Sequence, residues 1–130
     1  MIQYPTEEKI IELNLLSIEL IKAKRADRTE VLSHNKITKA IDECKEKKGD
    51  IYDKSVVLLK ELVKNHPFAS GNRRTAFIAT KYLLEINKNK FGVPDDENQA
   101  NVMQGIREDY YSDNEIKEWL KNGKIREFKR

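Results

Sequence analysis

Apolar residues recur every three or four positions along most of the chain, which is the period of an amphipathic α-helix. The first such stretch covers residues 6–24, with Thr6 as its predicted N-cap. Its predicted apolar stripe consists of Ile10, Leu13, Leu16 or Ser17, and Leu20, widened by Ile11, Leu15 and Ile18. After a polar joint, residues 34–47 predict a second, shorter helix.

The middle of the chain predicts a central helix over residues 54–65, capped by Asp53. Its apolar residues fall on more than one face, so we expect this helix to be buried on several sides. It ends before Pro67, because proline disfavours helical backbone in the residue that precedes it. Just upstream, residues 49–50 are a turn signal, and residues 51–52 favour extended backbone.

The second half of the chain continues the helical pattern. A helix is predicted from about residue 72 to 87, and Pro94 opens another helical segment. Ser112 and Glu115 have the spacing of a capping box before the last helix, which ends at Gly123. Because no convincing strand pattern occurs, the sequence predicts one all-α domain over the whole chain, with a short extended element near residue 51.

Composition and charge narrow the functional classes. The chain has 130 residues, 38% of them apolar and 36% charged, which suits one domain with solvated helix faces. A net charge of only +3 gives no reason to expect a nucleic-acid partner. The single cysteine, Cys44, excludes an internal disulfide, and two histidines are too few for a metal cluster. No apolar run suits a membrane span or a signal peptide, so we expect a cytoplasmic protein. The basic tail, about residues 121–130, is expected to be solvated and partly frayed.

Twelve residues between the third and fourth predicted helices, HPFASGNRRTAF, combine groups suited to phosphate chemistry. A helix that begins at Asn72 offers unpaired backbone N–H groups and a positive partial charge to an anion. Gly71 lets a ligand approach the backbone, and Arg73 and Arg74 add two charged forks suited to phosphate oxygens. His66 can accept a proton from an attacking hydroxyl group. The spacing is equally compatible with a tight loop that contains a buried histidine and two solvated arginines.

The same twelve residues resemble the signature of the Fic/Doc family, in which His-x-Phe is followed by an acidic position, Gly/Ala-Asn, Gly/Lys and Arg. The similarity extends over about residues 4–120, including ELVKNHPF before the motif, TAFIATKYLLEIN after it, and SDNEIKEWL near the end. The short chain and the Thr-Ala pair after the arginines are similar to Doc, the toxin branch of toxin–antitoxin pairs. The resemblance implies a compact Fic/Doc-type helical bundle with a short extended flap.

The resemblance also implies roles, position by position. His66 matches the general base, and Arg74 matches the catalytic arginine that binds phosphate. Gly71 and Asn72 match the anion-binding turn, and ATP and Mg²⁺ are the implied cofactors. The implied target-binding flap consists of Gly49, Asp50, Ile51 and Tyr52.

Position 73 bears on the reaction type. Fic enzymes that transfer AMP have glycine at this position, whereas Doc has lysine and is thought to bind ATP in the opposite direction. Arg73 is large and cationic, so the resemblance implies transfer of a phosphoryl group from ATP to a protein hydroxyl, by analogy a threonine of a translation elongation factor. Phe77 stands where AMP-transferring relatives have a second arginine. The family's built-in inhibitory signature does not occur in the sequence, which fits control by a separate antitoxin.

One residue departs from the family pattern. Ser70 stands where the family has an acid that holds Mg²⁺, and a serine hydroxyl is a weaker ligand than a carboxylate. Three interpretations follow: the phosphates hold most of the metal while Ser70 assists, Arg73 replaces part of its charge, or the protein binds a nucleotide without turning it over. Asp50 or Asp53 could also supply the missing acid. AMP transfer and a catalytically silent binding module are therefore the alternatives to a Doc-like kinase.

Overall fold

The protein is described here by a computed structural model that covers residues 1–20 and 30–129. Within these residues it forms six helices and no β-sheet, which confirms the predicted all-α class. The helices are α1 (Glu7–Leu20), α2 (His34–Glu46), α3 (Ile51–Asn65), α4 (Asn72–Ile86), α5 (Asn98–Arg107) and α6 (Asp113–Asn122). None of the helices in the described part of the chain is long and apolar enough to cross a membrane.

Helix α3 is the centre of the bundle and packs against α2, α4, α5 and α6. Leu58, Leu59, Leu62 and Val63 are completely or almost completely buried. At 100° per residue, these four side chains cover about 140° of the helix circumference, which is a broad buried face. The C-terminal end of α3 therefore has a fixed position in the molecule. The turn between α3 and α4, over residues 66–74, begins there and is the turn that the sequence predicts to bind phosphate.

Helix α1 buries most of its predicted stripe, including Ile10, Leu13 and Ile18, but two of the predicted leucines are exposed. Leu15 and Leu16 are 43% and 47% exposed, whereas Asn14 and Ser17 are buried. Of the two alternatives for the stripe, Ser17 is confirmed and Leu16 was wrong, and the prediction that Leu15 widens the stripe was also wrong. The two buried polar residues have internal partners. The Ser17 hydroxyl donates to the carbonyl of Leu13 at 2.8 Å. The Asn14 amide donates to the Ser70 carbonyl, in the turn between α3 and α4. The predicted continuation of this helix to residue 24 lies outside the described residues.

Helix α3 begins three residues earlier than predicted. Asp50 is its N-cap and accepts hydrogen bonds from the backbone N–H groups of Tyr52 and Asp53. The Asp53 carboxylate in turn accepts a bond from the backbone N–H of Asp50, which completes a capping box. Ile51 and Tyr52 are thus the first helical residues, and the prediction of an extended element there was wrong. The sequence preference of two β-prone residues is outweighed by the reciprocal cap in front of them.

The last helix and the tail form one packed unit. Ser112 and Glu115 form the predicted capping box of α6, and Gly123 ends the helix in left-handed conformation with φ 74°. The tail beyond it, residues 124–129, is irregular and mostly exposed, but two of its groups contact the rest of the protein. Arg126 forms an ion pair with Glu115, and the Arg126 backbone carbonyl accepts a hydrogen bond from the Tyr111 hydroxyl at 3.0 Å.

Candidate active site

The site is built on the turn between α3 and α4. His66 is the C-cap of α3 and has left-handed backbone angles, φ 49° and ψ 61°. Such a residue ends a helix and sends the chain in a new direction. Pro67 follows at once and cannot continue the helix. The His66 side chain is exposed at the lip of the turn, so the alternative of a buried histidine is not what the structure contains.

Phe68 anchors the turn in the hydrophobic core, since its side chain is only 1% exposed. A short extended segment lies alongside: Phe68 forms an isolated antiparallel bridge with Val31. The carbonyl of Pro67 accepts a bond from the Leu32 N–H at 2.8 Å, and the Ala69 N–H donates to the carbonyl of Glu30 at 2.9 Å. The extended backbone near the histidine is therefore at residues 30–33, not at residues 49–52.

Asn72 closes the turn with its side-chain amide. Its oxygen accepts from the Phe68 N–H at 3.0 Å, and its amide nitrogen donates to the Phe68 carbonyl at 2.9 Å. One side chain thus satisfies both backbone groups of a residue four positions earlier. Asn72 serves the predicted anion-binding turn by fixing its shape.

Gly71 is the N-cap of α4 and adopts left-handed angles, φ 75° and ψ 18°. A glycine has no side chain that could cap the helix, so it leaves the first backbone N–H groups of α4 available to an anion. Thr75 N–H donates to the Gly71 carbonyl at 2.8 Å, which starts the helical ladder. The turn therefore offers a helix N-terminus of the kind that binds phosphate.

Asn14 connects α1 to the same turn, although it lies far away in sequence. Its side chain is buried, and its amide nitrogen donates to the Ser70 carbonyl at 2.9 Å and to the Thr75 hydroxyl at 3.0 Å. A Cβ atom at Gly71 would lie 3.3 Å from that nitrogen. Asn14 thus holds the turn from its inner side, where a larger residue than glycine would crowd it.

The two arginines have different surroundings. Both side chains are exposed. The Arg73 guanidinium donates to the side-chain oxygen of Gln104 in α5 at 2.6 Å, and Gln104 in turn donates to Glu108. Arg74 makes no hydrogen bond or ion pair with another described residue. Since adjacent helical residues diverge by about 100°, the two side chains leave the turn in different directions.

Positive charges act on His66 from two other helices. Although the His66 side chain is exposed, the protein around it removes part of its hydration. This desolvation, together with the charges of Arg107 in α5 and Lys36 in α2, lowers the pKa of His66 from its ordinary value of 6.5. This shift favours the neutral imidazole, which is the form that can accept a proton. The same two cations add to the positive field around the turn.

The described residues do not form a metal cage at the turn. They contain no group of three or more His, Cys, Asp or Glu side chains that could hold a metal ion. Asp50 and Asp53, considered as replacement acids, lie at the opposite end of α3 from His66, about 20 Å away for a helix of this length. Their carboxylates bind Lys117 of α6 instead. At the turn, Ser70 occupies the position where the family has its metal-binding acid. Because a serine hydroxyl is a weak ligand, Mg²⁺ would have to be held largely by the phosphates of the substrate.

The structure brings most of the predicted site together and leaves one part out. One turn carries all the residues predicted to act on the nucleotide, namely His66, Ser70, Gly71, Asn72, Arg73 and Arg74. The predicted flap, residues 49–52, is at the far end of α3 and does not reach it. Sequence reasoning missed residues that other helices contribute, namely Asn14, Lys36, Gln104 and Arg107. Asn14 alone had a detectable signal, because it is a polar residue four positions after buried Ile10.

The fold and the turn together define a class: a helical domain in which an open helix N-terminus, two arginines and an exposed histidine share one turn. The model of the Fic/DOC family matches residues 4–84, more than half of the chain, and the protein belongs to that family. Members of the family are typically transferases that move AMP or phosphoryl groups to proteins. No curated protein matches the chain.

Proposed function

We propose that this protein transfers a phosphoryl group from ATP to a hydroxyl group of a protein, as the Doc branch of the Fic/DOC family does. The observation that carries the proposal is the turn over residues 66–74. There, a histidine with a lowered pKa lies at one end, and a helix start capped by glycine and followed by two arginines lies at the other. Family membership supplies the general reaction, and this turn supplies the groups that it needs.

The chemistry divides among these groups. The terminal phosphate of ATP binds at the N-terminus of α4, where backbone N–H groups and Arg74 stabilise the negative charge on its oxygens. The hydroxyl oxygen of the target attacks the terminal phosphorus, and the bond between that phosphorus and the ADP oxygen breaks. His66 accepts the hydroxyl proton, and ADP leaves with the electron pair. If Mg²⁺ is bound, the Ser70 hydroxyl would help the phosphate oxygens to hold it, and the ion would neutralise further negative charge.

The resemblance to Doc extends the proposal to partners. The acceptor is by analogy a threonine of a translation elongation factor, and the controlling partner is an antitoxin protein. Both assignments rest on the Doc-like residues at positions 73–76, where two basic residues are followed by Thr-Ala.

AMP transfer is the second candidate, and one contact favours it. Because the Arg73 guanidinium bonds to Gln104 of α5, its side chain need not obstruct an α-phosphate at the turn. A position that is glycine in AMP-transferring relatives could in this way be kept open despite its size. The two candidates differ in which phosphorus atom is attacked, and a labelling experiment separates them.

The experiment uses purified protein, Mg²⁺ and a cell extract, with ATP labelled at the γ-phosphate or, in parallel, at the α-phosphate. The proposal predicts γ-label on a discrete protein band and no α-label. An α-label would mean that AMP is transferred and that the nucleotide is oriented the other way. If ATP binds but neither label is transferred, the protein is a binding module, as the missing acid at position 70 would explain.

A further inference from the structure

A cleft of about 440 Å³ opens along the side of α4, beyond the phosphate turn. Phe77 and Lys81 of α4 form one wall, Phe91 comes from the loop after α4, and Gln99 comes from the start of α5. The volume falls within the range of small-molecule sites in proteins. The reaction described above does not yet use this cleft.

The cleft continues the face of α4 that begins at the turn. Residues four apart lie on the same side of a helix, so Arg73, Phe77 and Lys81 form one row. Helix α5 follows this row from the opposite side. Its residue Gln104 bonds to Arg73, while Gln99, more than one turn earlier, lines the cleft. The two helices thus form a path from the turn into the cleft.

The length of this path suits a nucleoside triphosphate. At 1.5 Å per residue, Phe77 and Lys81 lie about 7.5 Å and 13.5 Å beyond Asn72 along the helix axis. A triphosphate chain with its last phosphate at Asn72 covers the first interval. The ribose and base then extend beyond Phe77 along the cleft, whose lining continues past Lys81 to Glu85.

The charge of the cleft suits the nucleoside rather than more phosphates. Lys81 and Lys90 are balanced by Glu85 and Asp95, so the lining has no excess positive charge. The rings of Phe77 and Phe91 meet edge to face at 5.3 Å and add apolar surface. A polyphosphate would require a net positive lining, whereas a neutral base and ribose suit apolar rings with polar groups around them.

We propose that the cleft between α4 and α5 binds the nucleoside part of the ATP whose terminal phosphate lies at the turn. This inference rests on the proposed function and deepens it, because it fixes the direction in which the nucleotide lies. When the nucleoside lies in the cleft, the triphosphate chain reaches back to the turn. Its terminal phosphorus is then the phosphorus atom that faces His66. The cleft is then the feature that orients ATP for phosphoryl transfer.

The test compares two ligands that share the phosphates and differ in the nucleoside. Backbone amide NMR spectra of the labelled protein are recorded with Mg²⁺–ATP and with Mg²⁺–tripolyphosphate. Both ligands should shift the amides of Gly71 and Arg74, whereas only ATP should shift those of Lys81, Phe91 and Gln99. If ATP shifts the turn but not the cleft, or if tripolyphosphate shifts the cleft equally, the inference is overturned while the proposed function stands. If neither ligand shifts the turn, the proposed function itself fails.

A variant pair tests the same point by affinity. Phe91→Ala removes apolar surface from the cleft and should weaken ATP binding at least tenfold, while tripolyphosphate binding stays within twofold. The ratio of the two affinities is insensitive to a partial loss of folded protein, which lowers both. Tyr4→Ala, a half-buried aromatic residue beside Lys45 and Lys54, is the control and should leave the ratio unchanged. An unchanged ratio in Phe91→Ala would exclude the cleft.

Discussion

At the scale of single residues, the site depends on a few side chains with distinct tasks. His66 ends α3 in a left-handed conformation that leaves its imidazole exposed. Asn72 fixes the turn through the backbone of Phe68, and Asn14 fixes it from below through the Ser70 carbonyl. The shape of the turn between α3 and α4 is thus maintained by two side-chain amides.

The lowered pKa of His66 leads to a pH dependence of transfer. Only the neutral imidazole accepts a proton, so the rate should rise with pH through a pKa below 6.5 and then level off. Arg107→Gln removes one of the positive charges that disfavour protonation, so it should raise the pKa and move the rise to higher pH. NMR titration of the His66 ring, assigned with His34→Ala, measures the pKa directly. A His66 pKa above 6.5 in the unmodified protein would contradict the expected electrostatics.

The amide of Asn72 should matter for both stability and transfer. Asn72→Ala leaves the two backbone groups of Phe68 without their partner, which should lower the free energy of unfolding by about 1–3 kcal/mol. Transfer should be lost even where the variant is fully folded, because the turn is no longer held. Urea unfolding and the γ-label assay measure the two effects. Asn101→Ala, at an exposed position of α5, is the control and should change neither.

At the scale of helices, local signals explain which elements were predicted correctly. Helices α4 and α6 begin where their sequences predict, after Gly71 and at the capping box of Ser112. In α1, Leu15 was wrongly assigned to the buried stripe and Ser17 is buried instead of Leu16, because the burial of Asn14 depends on partners at Ser70 and Thr75. The start of α3 was predicted three residues too late. Residues 51–52 favour extended backbone by themselves, but the capping box of Asp50 and Asp53 makes them helical.

The position of α3 gives a prediction about its N-terminus. Asp50→Ala removes the N-cap and should lower the free energy of unfolding by about 0.5–2 kcal/mol. Because residues 49–52 lie at the opposite end of α3 from His66, the transfer rate of the folded variant should stay unchanged. Thermal unfolding and the γ-label assay provide the two readouts. Loss of transfer in a stably folded variant would show that this segment contacts the target after all.

At the scale of the whole molecule, the turn is positioned by elements from both ends of the chain. Helix α1 holds it through Asn14, while α5 supplies Gln104 and Arg107. The motif itself could be found from sequence, because its residues are contiguous. Most of the residues that hold the turn or act on it by their charge could not be found, since they come from separate helices. Among them, only Asn14 had a local signal. Only the three-dimensional packing brings them together.

The tail contributes to the stability of this assembly. Deleting residues 124–130 removes the ion pair of Arg126 with Glu115 and the packing of Phe128 against Tyr110, so the unfolding temperature should fall by about 2–6 °C. The hydrogen bond from Arg126 is the main cause that lowers the pKa of Glu115 to about 2, against an ordinary value of 4.5. Since the folded pKa is the lower one, this contribution is complete above pH 4.5 and is lost as the pH falls towards 2. The difference between the full and shortened proteins should therefore narrow over that range. A constant difference would contradict the role of the ion pair.

The central claim is that His66 accepts the proton in a phosphoryl transfer at this turn. The most direct measurement compares unmodified protein, His66→Ala and His34→Ala in the γ-label assay, with folding of each checked by circular dichroism. The account predicts that His66→Ala lowers transfer by about 10²–10⁴-fold while remaining folded, and that His34→Ala, at the exposed start of α2, retains transfer. Equal transfer by the folded His66→Ala variant would contradict the claim.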